Sequence, residues 1–340
     1  MGYKADTSLP VNDAIYDIAI IGGGPTGLFA SFYAGMRNMK TLLIEAMPEL
    51  GGQLTFLYPD KFIYDVPGHP KVLAKHLVEN LVAQGLQFRP TVILGERVSN
   101  VVKLGEKLFM IETDKGRYYS KTIVICAGIG AISPRRLGIP EVERFEGKGL
   151  YYVVTNKWEF KDRRVMIVGG GDTAVDWALN LQNIAKKVTL IHRRGQFRAH
   201  EASVIELFHS NVEVMVPYVV KSAQGDSALR KVTVMNLDTN EEEIKEVDAL
   251  IPCLGFIVDN TVLKKWGLEM EGQSLLVNGR METNVAGIYG AGDIAHESGS
   301  VKLNLICVGF AQAAIAVNVA KNYIDPSSSY FPGHSSERRF

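Results

Sequence analysis

One pattern constrains this chain more than any other: a short β-branched strand, a glycine-rich turn, a helix and a second strand, and the chain carries it twice. In the first copy the strand Tyr16-Asp-Ile-Ala-Ile-Ile21 runs into Gly22-Gly-Gly-Pro-Thr-Gly27. A predicted helix from Leu28 to Arg37 and the strand Lys40-Thr-Leu-Leu-Ile-Glu45 follow. In the second copy Arg164-Val-Met-Ile-Val168 runs into Gly169-Gly-Gly-Asp-Thr-Ala174. A predicted helix ending near Leu181 and the strand Lys187-Val-Thr-Leu-Ile-His192 follow. A lone G-x-G-x-x-G means little, but between a strand and a helix it is the setting that holds a dinucleotide pyrophosphate. Two such turns this far apart are a duplicated domain, not a short solenoid repeat. The expectation is an α/β chain with two Rossmann-like, three-layer dinucleotide-binding domains, the second inserted in the first.

The two turns differ where it matters chemically. In the first, Gly22 permits the tight turn, Gly24 lets a pyrophosphate approach the backbone, and Gly27 allows close helix–strand packing; Thr26 sits among them. The helix start offers free N–H groups and a positive dipole end to phosphate. Glu45 ends the second strand, where a carboxylate accepts hydrogen bonds from both hydroxyls of an adenosine ribose. In the second turn Gly169, Gly171 and Ala174 take the glycine roles, with Asp172 and Thr173 at the helix start. Its second strand ends in His192-Arg193-Arg194-Gly-Gln-Phe-Arg198. Guanidinium forks bind phosphate in bidentate fashion, so this site is expected to prefer NADPH over NADH.

Composition narrows the class. At 340 residues, 46% hydrophobic and 22% charged, the chain has material for two globular cores. Lys+Arg and Asp+Glu are both 37, so no global charge draws it to nucleic acid or an anionic membrane, and neither partner is expected. The three cysteines, Cys126, Cys253 and Cys307, show neither a C-x-x-C nor a metal-ligand spacing. They read as buried small hydrophobes, and no metal is expected. With no apolar leader and no run of about 18 apolar residues, a cytoplasmic place is expected.

These turns and several further stretches resemble the two-dinucleotide-domain flavoproteins, in particular their thioredoxin-reductase-like branch, from about Asp17 to the C-terminus. Gly51-Gly-Gln53-Leu54 is similar to the segment beside the flavin ring. Thr283 to Asp293 is similar to the second flavin signature, in which Asp293 would hold a ribityl hydroxyl. Ile123 to Gly128 resembles the strand-turn closing the flavin domain, and His192 to Ala199 the loop for the NADPH 2′-phosphate. The resemblance makes the first domain the FAD domain, 1–127 with 255–340, and 128–254 the NADPH domain. One departure is decisive. Relatives that reduce thioredoxin carry a C-x-x-C before the second glycine turn, whereas Tyr151 to Asn156 holds no cysteine. Without a thiolate to attack a disulfide, that chemistry is excluded.

The cysteine-free group this chain resembles is the thioredoxin-reductase-like ferredoxin–NADP⁺ reductases. Leu57 to Gly68, Gly171 to Ala178 and the extension Pro332-Gly-His-Ser-Ser336 carry that resemblance. It implies that Tyr58 stacks on one face of the isoalloxazine. His334, from the tail of the other subunit of a homodimer, would cover the other face, with Ser335 near the ring edge. Val98 and Ile132 would pack near the adenine or flavin. The implied activity is hydride exchange between NADP(H) and flavin N5, and one-electron exchange with ferredoxin or flavodoxin. It needs no acid–base dyad or nucleophile. The tail carrying His334 would move aside as a lid for the nicotinamide. An acidic ferredoxin would dock on a basic patch drawn from Arg163, Arg164, Lys186, Lys187, Lys264, Lys265, Arg338 and Arg339. The competing readings are an NADPH-dependent flavin oxidase or monooxygenase using oxygen or a small organic acceptor, a flavin-binding protein without turnover, and a disulfide reductase.

Overall fold

The computed structural model describes residues 11–57, 59–154 and 156–337. The chain forms two compact units, Met1–Ile132 with Val258–Phe340, and Ser133–Ile257. These divisions fall a few residues beyond 127/128 and 254/255. The two crossings keep strand form over Ala131–Pro134 and Phe256–Asp259 and pair with each other.

The first unit is built on parallel strands in the order Thr91–Leu94, Thr41–Glu45, Val11–Ile21, Arg117–Ile125. Thr41–Glu45 is buried at all five positions, as an interior parallel strand covered on both faces must be. Arg117–Ile125 changes partners along its length. Its start pairs antiparallel with Leu108–Thr113, and its end pairs parallel with Ile288–Gly290, from the returning part of the chain. The helix after the first turn runs Pro25–Met36, three residues earlier than its apolar pattern suggests. Proline, with its fixed φ and missing N–H, suits the first turn of a helix. This helix packs against Ala74–Gly85 and Ile306–Ile324. Small residues allow the approach: the Ser31 hydroxyl donates to Gly85 O at 2.8 Å, and Gly35 lies against the Phe88 ring. Leu28, Leu43, Phe109, Ile123 and Ala316, all fully buried, share the resulting core.

The second unit has a parallel sheet in the order Glu213–Met215, Lys187–Ile191, Arg164–Val168, Ala249–Pro252, and an antiparallel sheet of Tyr218–Gln224, Lys231–Asn236 and Glu242–Glu246. The period-two alternation of a strand makes its layers. Met166 and Val168 join the core shared with Val220, Val232 and Val234 of the antiparallel sheet. Val165 and Ile167 join the core shared with Ala174, Val175 and Ala178 of the helix Asp172–Leu181. The parallel sheet therefore lies between a helix layer and a second sheet.

The expectation of three buried cysteines needs correction. Cys126 is 4% exposed, while Cys253 and Cys307 are half-buried; all three are free. Burial pushes the Cys126 thiol far above the ordinary thiol range and the Cys253 thiol up to about 12. Cys126 directly follows the strand Arg117–Ile125 and Cys253 the strand Ala249–Pro252, each at the turn that backs a glycine of its unit.

Candidate dinucleotide-binding sites

The first glycine turn is fixed from both sides. Gly22 N–H donates to Ile44 O at 2.8 Å, and Cys126 N–H donates to Ile21 O at 2.8 Å. Gly22 has φ +108, and a Cβ there would meet Cys126 O at 2.4 Å; a Cβ on Gly27 would meet Gly22 O at 1.8 Å. Both obstacles are backbone, so no side chain fits at either position. The helix starts at Gly24 with no side chain capping it, so its first N–H groups have no side-chain acceptor.

Beside this helix start is a cavity of about 410 Å³, within the usual range for ligand sites. Gly22, Gly24, Thr26, Glu45, Gln53, Val98 and Asp293 line it. Glu45 is 7% exposed and immobilised: Gly23 N–H donates to Oε2 at 2.6 Å and Met47 N–H to Oε1 at 2.8 Å. Each carboxylate oxygen keeps a second lone pair, so Glu45 can still accept from two hydroxyls. Gln53 Nε2 lies 3.4 Å from Asp293 Oδ2. Thr26 packs where Cβ atoms on Gly292 and Gly309 would stand, and so seats the helix start against the turn that carries Asp293. Gln312, which sequence reasoning missed, accepts Gly292 N–H at 2.8 Å on Oε1. No local signal could have found a contact twenty residues along the chain.

Other assigned residues are not gathered here. His334 and Ser335 do not line the cavity of their own chain. Both are exposed; His334 N–H donates to Glu337 Oε2 at 3.2 Å, and its ring lies 5.2 Å from that of Phe331, edge to face. Tyr58 lies outside the described residues, as does the side chain of Ile132.

The second turn repeats the backbone frame. Gly169 N–H donates to Ile191 O at 3.0 Å and Cys253 N–H to Val168 O at 2.7 Å. Gly169 has φ +152, and a Cβ there would meet Cys253 O at 2.5 Å. The helix Asp172–Leu181 starts at Gly171, again with no side-chain cap. Asp172 Oδ1 accepts His200 N–H at 2.9 Å and so anchors the far end of the arginine loop; Thr173 beside it is exposed. His192 is 8% exposed and sits where Gly170 has no Cβ. Burial, aided by the nearby arginine charges, holds its imidazole below the ordinary histidine range. Neutral, it can donate from Nε2 to Gln196 O, 3.3 Å away. Arg193, Arg194 and Arg198 are exposed, and among the described residues none has a carboxylate in ion-pair contact. Guanidinium groups without carboxylate partners keep their N–H donors available for a phosphate.

The basic residues suggested for docking divide differently. Arg164 is held by Asp248 and Glu246, Arg163 donates to Tyr151 Oη and Asp248 O, and Lys187 pairs with Glu213. Arg164 and Lys187 are thus neutralised within the second unit, and the Arg163 guanidinium is taken up by hydrogen bonds there. Lys264 and Lys265 end the helix Thr261–Lys265 of the first unit, and Arg338 and Arg339 lie outside the described residues.

Comparison with known proteins fits this geometry. The model of the pyridine nucleotide-disulphide oxidoreductase family matches residues 16–318. The chain is 50% identical over 324 residues to a ferredoxin–NADP reductase of Sulfurisphaera tokodaii, covering 95% of this chain and 97% of that one. It is also 50% identical over 325 residues to a ferredoxin–NADP reductase of Halalkalibacterium halodurans, covering 95% and 98%. Among solved structures, a thioredoxin reductase of Lactococcus lactis is 26% identical with a TM-score of 0.73, covering 91% of this chain and 99% of that one. Two glycine turns in two α/β units, with a family match across most of the length, establish that the chain belongs to the pyridine nucleotide-disulphide oxidoreductase family.

Proposed function

We infer that the chain is an FAD-dependent ferredoxin–NADP⁺ oxidoreductase. The observation that carries the reading is the pairing of an adenosine-type site with a phosphate-type site in a chain without a C-x-x-C. The half-identical relatives named as ferredoxin–NADP reductases support it. When bound, FAD supplies hydride exchange with NADP(H) and single-electron exchange with an iron–sulfur or flavin protein.

The residues present fit both dinucleotides. Gly22, Gly24, Thr26 and Gly27 make the cradle in which the FAD pyrophosphate meets a helix N-terminus. Glu45 holds the adenosine ribose through the lone pairs its backbone bonds leave free. Gln53 and Asp293 serve the ribityl side, and Val98, 8% exposed, is the apolar wall. Tyr58 and, from the partner of a homodimer, His334 and Ser335 complete the flavin surround. The exposed tail suits that role: Arg37 holds Ser329 O at 2.7 Å and Arg280 holds Tyr330 Oη at 2.7 Å, after which residues 334–337 are exposed. In the second unit Gly169, Gly171, Asp172, Thr173 and Ala174 shape the NADPH pyrophosphate site. His192, Arg193, Arg194 and Arg198 read the 2′-phosphate. The protein acceptor is ferredoxin or flavodoxin. No described helix is long and apolar enough to cross a membrane, and free cysteines suit the cytoplasm, where we place the enzyme.

The test is anaerobic stopped-flow absorbance of the FAD-loaded protein. NADPH is expected to bleach the flavin, and ferredoxin then to pass electrons to cytochrome c. Bleaching with rapid hydrogen peroxide formation in air and no response to ferredoxin or flavodoxin would overturn the acceptor and favour the oxidase reading.

A further inference from the structure

We propose that Asn260 is a positioning residue for the dinucleotide of the first unit, clamping the turn Gly128–Gly130 into the wall of the cavity. The inference rests on the reading that this cavity takes FAD. Asn260 is 4% exposed and lines the cavity together with Gly128, Ile129 and Gly130.

Asn260 occupies the position before the short helix Thr261–Lys265, where asparagine ordinarily accepts a hydrogen bond from the helix backbone. It makes no such bond. Its Nδ2 instead donates to Ile129 O at 3.2 Å and to Gln273 O at 2.7 Å. Both amide protons therefore bind carbonyls far away in sequence, one in the cavity turn and one in the loop before the strand Ser274–Val277. The side-chain oxygen is equally placed. A Cβ on Gly130 would stand 1.6 Å from Asn260 Oδ1, and Gly130 has φ +100, so glycine alone accommodates both the turn and the amide.

The turn needs such a clamp because it follows the strand Arg117–Ile125 and lies outside the sheet ladder. Its own closing bond runs from Gly130 N–H to Ala127 O, 2.8 Å. Cys126, just before it, packs its carbonyl on Gly22. Releasing Ile129 loosens the stretch of wall that continues directly from the glycine turn. Releasing the amide breaks both bonds at once and leaves the 4% exposed Asn260 side chain without partners, so the clamp acts by restricting the turn to one geometry.

Asn260→Asp and Asn260→Ala separate this role from general support. FAD binding is titrated by fluorescence on apoprotein, and NADP⁺ binding on the same samples. At about pH 8 both variants are expected to bind FAD about 10–100-fold more weakly than wild type. At about pH 5.5 the carboxyl introduced by N260D, its pKa raised by burial, regains a proton and one donor, so N260D should recover several-fold while N260A does not. NADP⁺ affinity should be unchanged in both. Hydrogen exchange supplies a second readout: Gly130 N–H should exchange about 10-fold faster in N260D than in wild type. Unchanged FAD affinity, parallel pH profiles of the two variants, an equal loss of NADP⁺ binding, or unchanged exchange at Gly130 would each overturn the proposal. Failure of wild-type apoprotein to bind FAD would instead overturn the reading of the cavity.

Discussion

At the end of its second strand the first unit carries Glu45, 7% exposed, both oxygens already bonded to backbone N–H groups. At the same place the second unit carries a buried neutral histidine and three exposed arginines that have no carboxylate partners among the described residues. Around this difference the two frames coincide bond for bond. Gly22 to Ile44 matches Gly169 to Ile191, and Cys126 to Ile21 matches Cys253 to Val168. On the proposed function, the shared backbone cradle is what holds a pyrophosphate and the strand end is what tells one ribose from the other.

The largest expected effect comes from the one glycine position where the frames part. A Cβ on Gly27 meets a carbonyl at 1.8 Å, whereas Ala174 carries a Cβ already. Gly27→Ala should destabilise the first unit by more than about 3 kcal/mol and abolish FAD retention. Ala174→Gly should cost the second unit only about 1–2 kcal/mol. Urea unfolding followed separately in the two units checks this, and similar losses would show that the turns do not differ as described. A crossed titration comes next. Arg193→Ala should weaken NADPH binding about 10–100-fold with little change for NADH or FAD, and Glu45→Gln should weaken FAD while sparing NADPH. Equal effects on NADPH and NADH would remove Arg193 from the 2′-phosphate.

The smallest effect sharpens the contrast between two kinds of arginine in one unit. Among the described residues Arg193 has no carboxylate partner, but Arg164 holds the Asp248 carboxyl down to about 2. A carboxylate depressed in the folded state adds stability above its unfolded pKa of about 4 and loses it as pH falls towards about 2. Asp248→Asn should therefore cost the second unit about 1–2 kcal/mol at neutral pH, after screening at a partly exposed site, and flatten its acid unfolding between those values. Thermal melts across that range report it; a variant that keeps the wild-type acid profile would mean Asp248 is not the group responsible.

The sequence made the turns legible because strand, glycines and helix start are neighbours whose chemistry is local. Glu45 and Arg193 were readable for the same reason, each closing a short apolar strand. What escaped lies across the fold. Asn260 carries no signal in sequence that its amide reaches Ile129 and Gln273, and Gln312 gives no hint that it bonds Gly292. Arg164 and Lys187 read as part of a docking patch because their acidic partners, Glu213, Glu246 and Asp248, lie far along the chain. The strand Val11–Ile21 begins five residues before the apolar run because Val11 pairs with Arg117 and Ile15 with Tyr119 across an irregularity in register, which breaks the alternation read from sequence.

The interrupted sheet of the first unit also sets an order of events at the ribosome. Its strand Ile288–Gly290 must find Arg117–Ile125 across an insert that is continuous in sequence. Residues 133–257 emerge complete and can collapse on their own cores while the first sheet still lacks its final member. The nascent first half therefore waits with one edge of its sheet open, and its cofactor cavity closes only when translation has passed the segment that supplies Asn260 and Asp293.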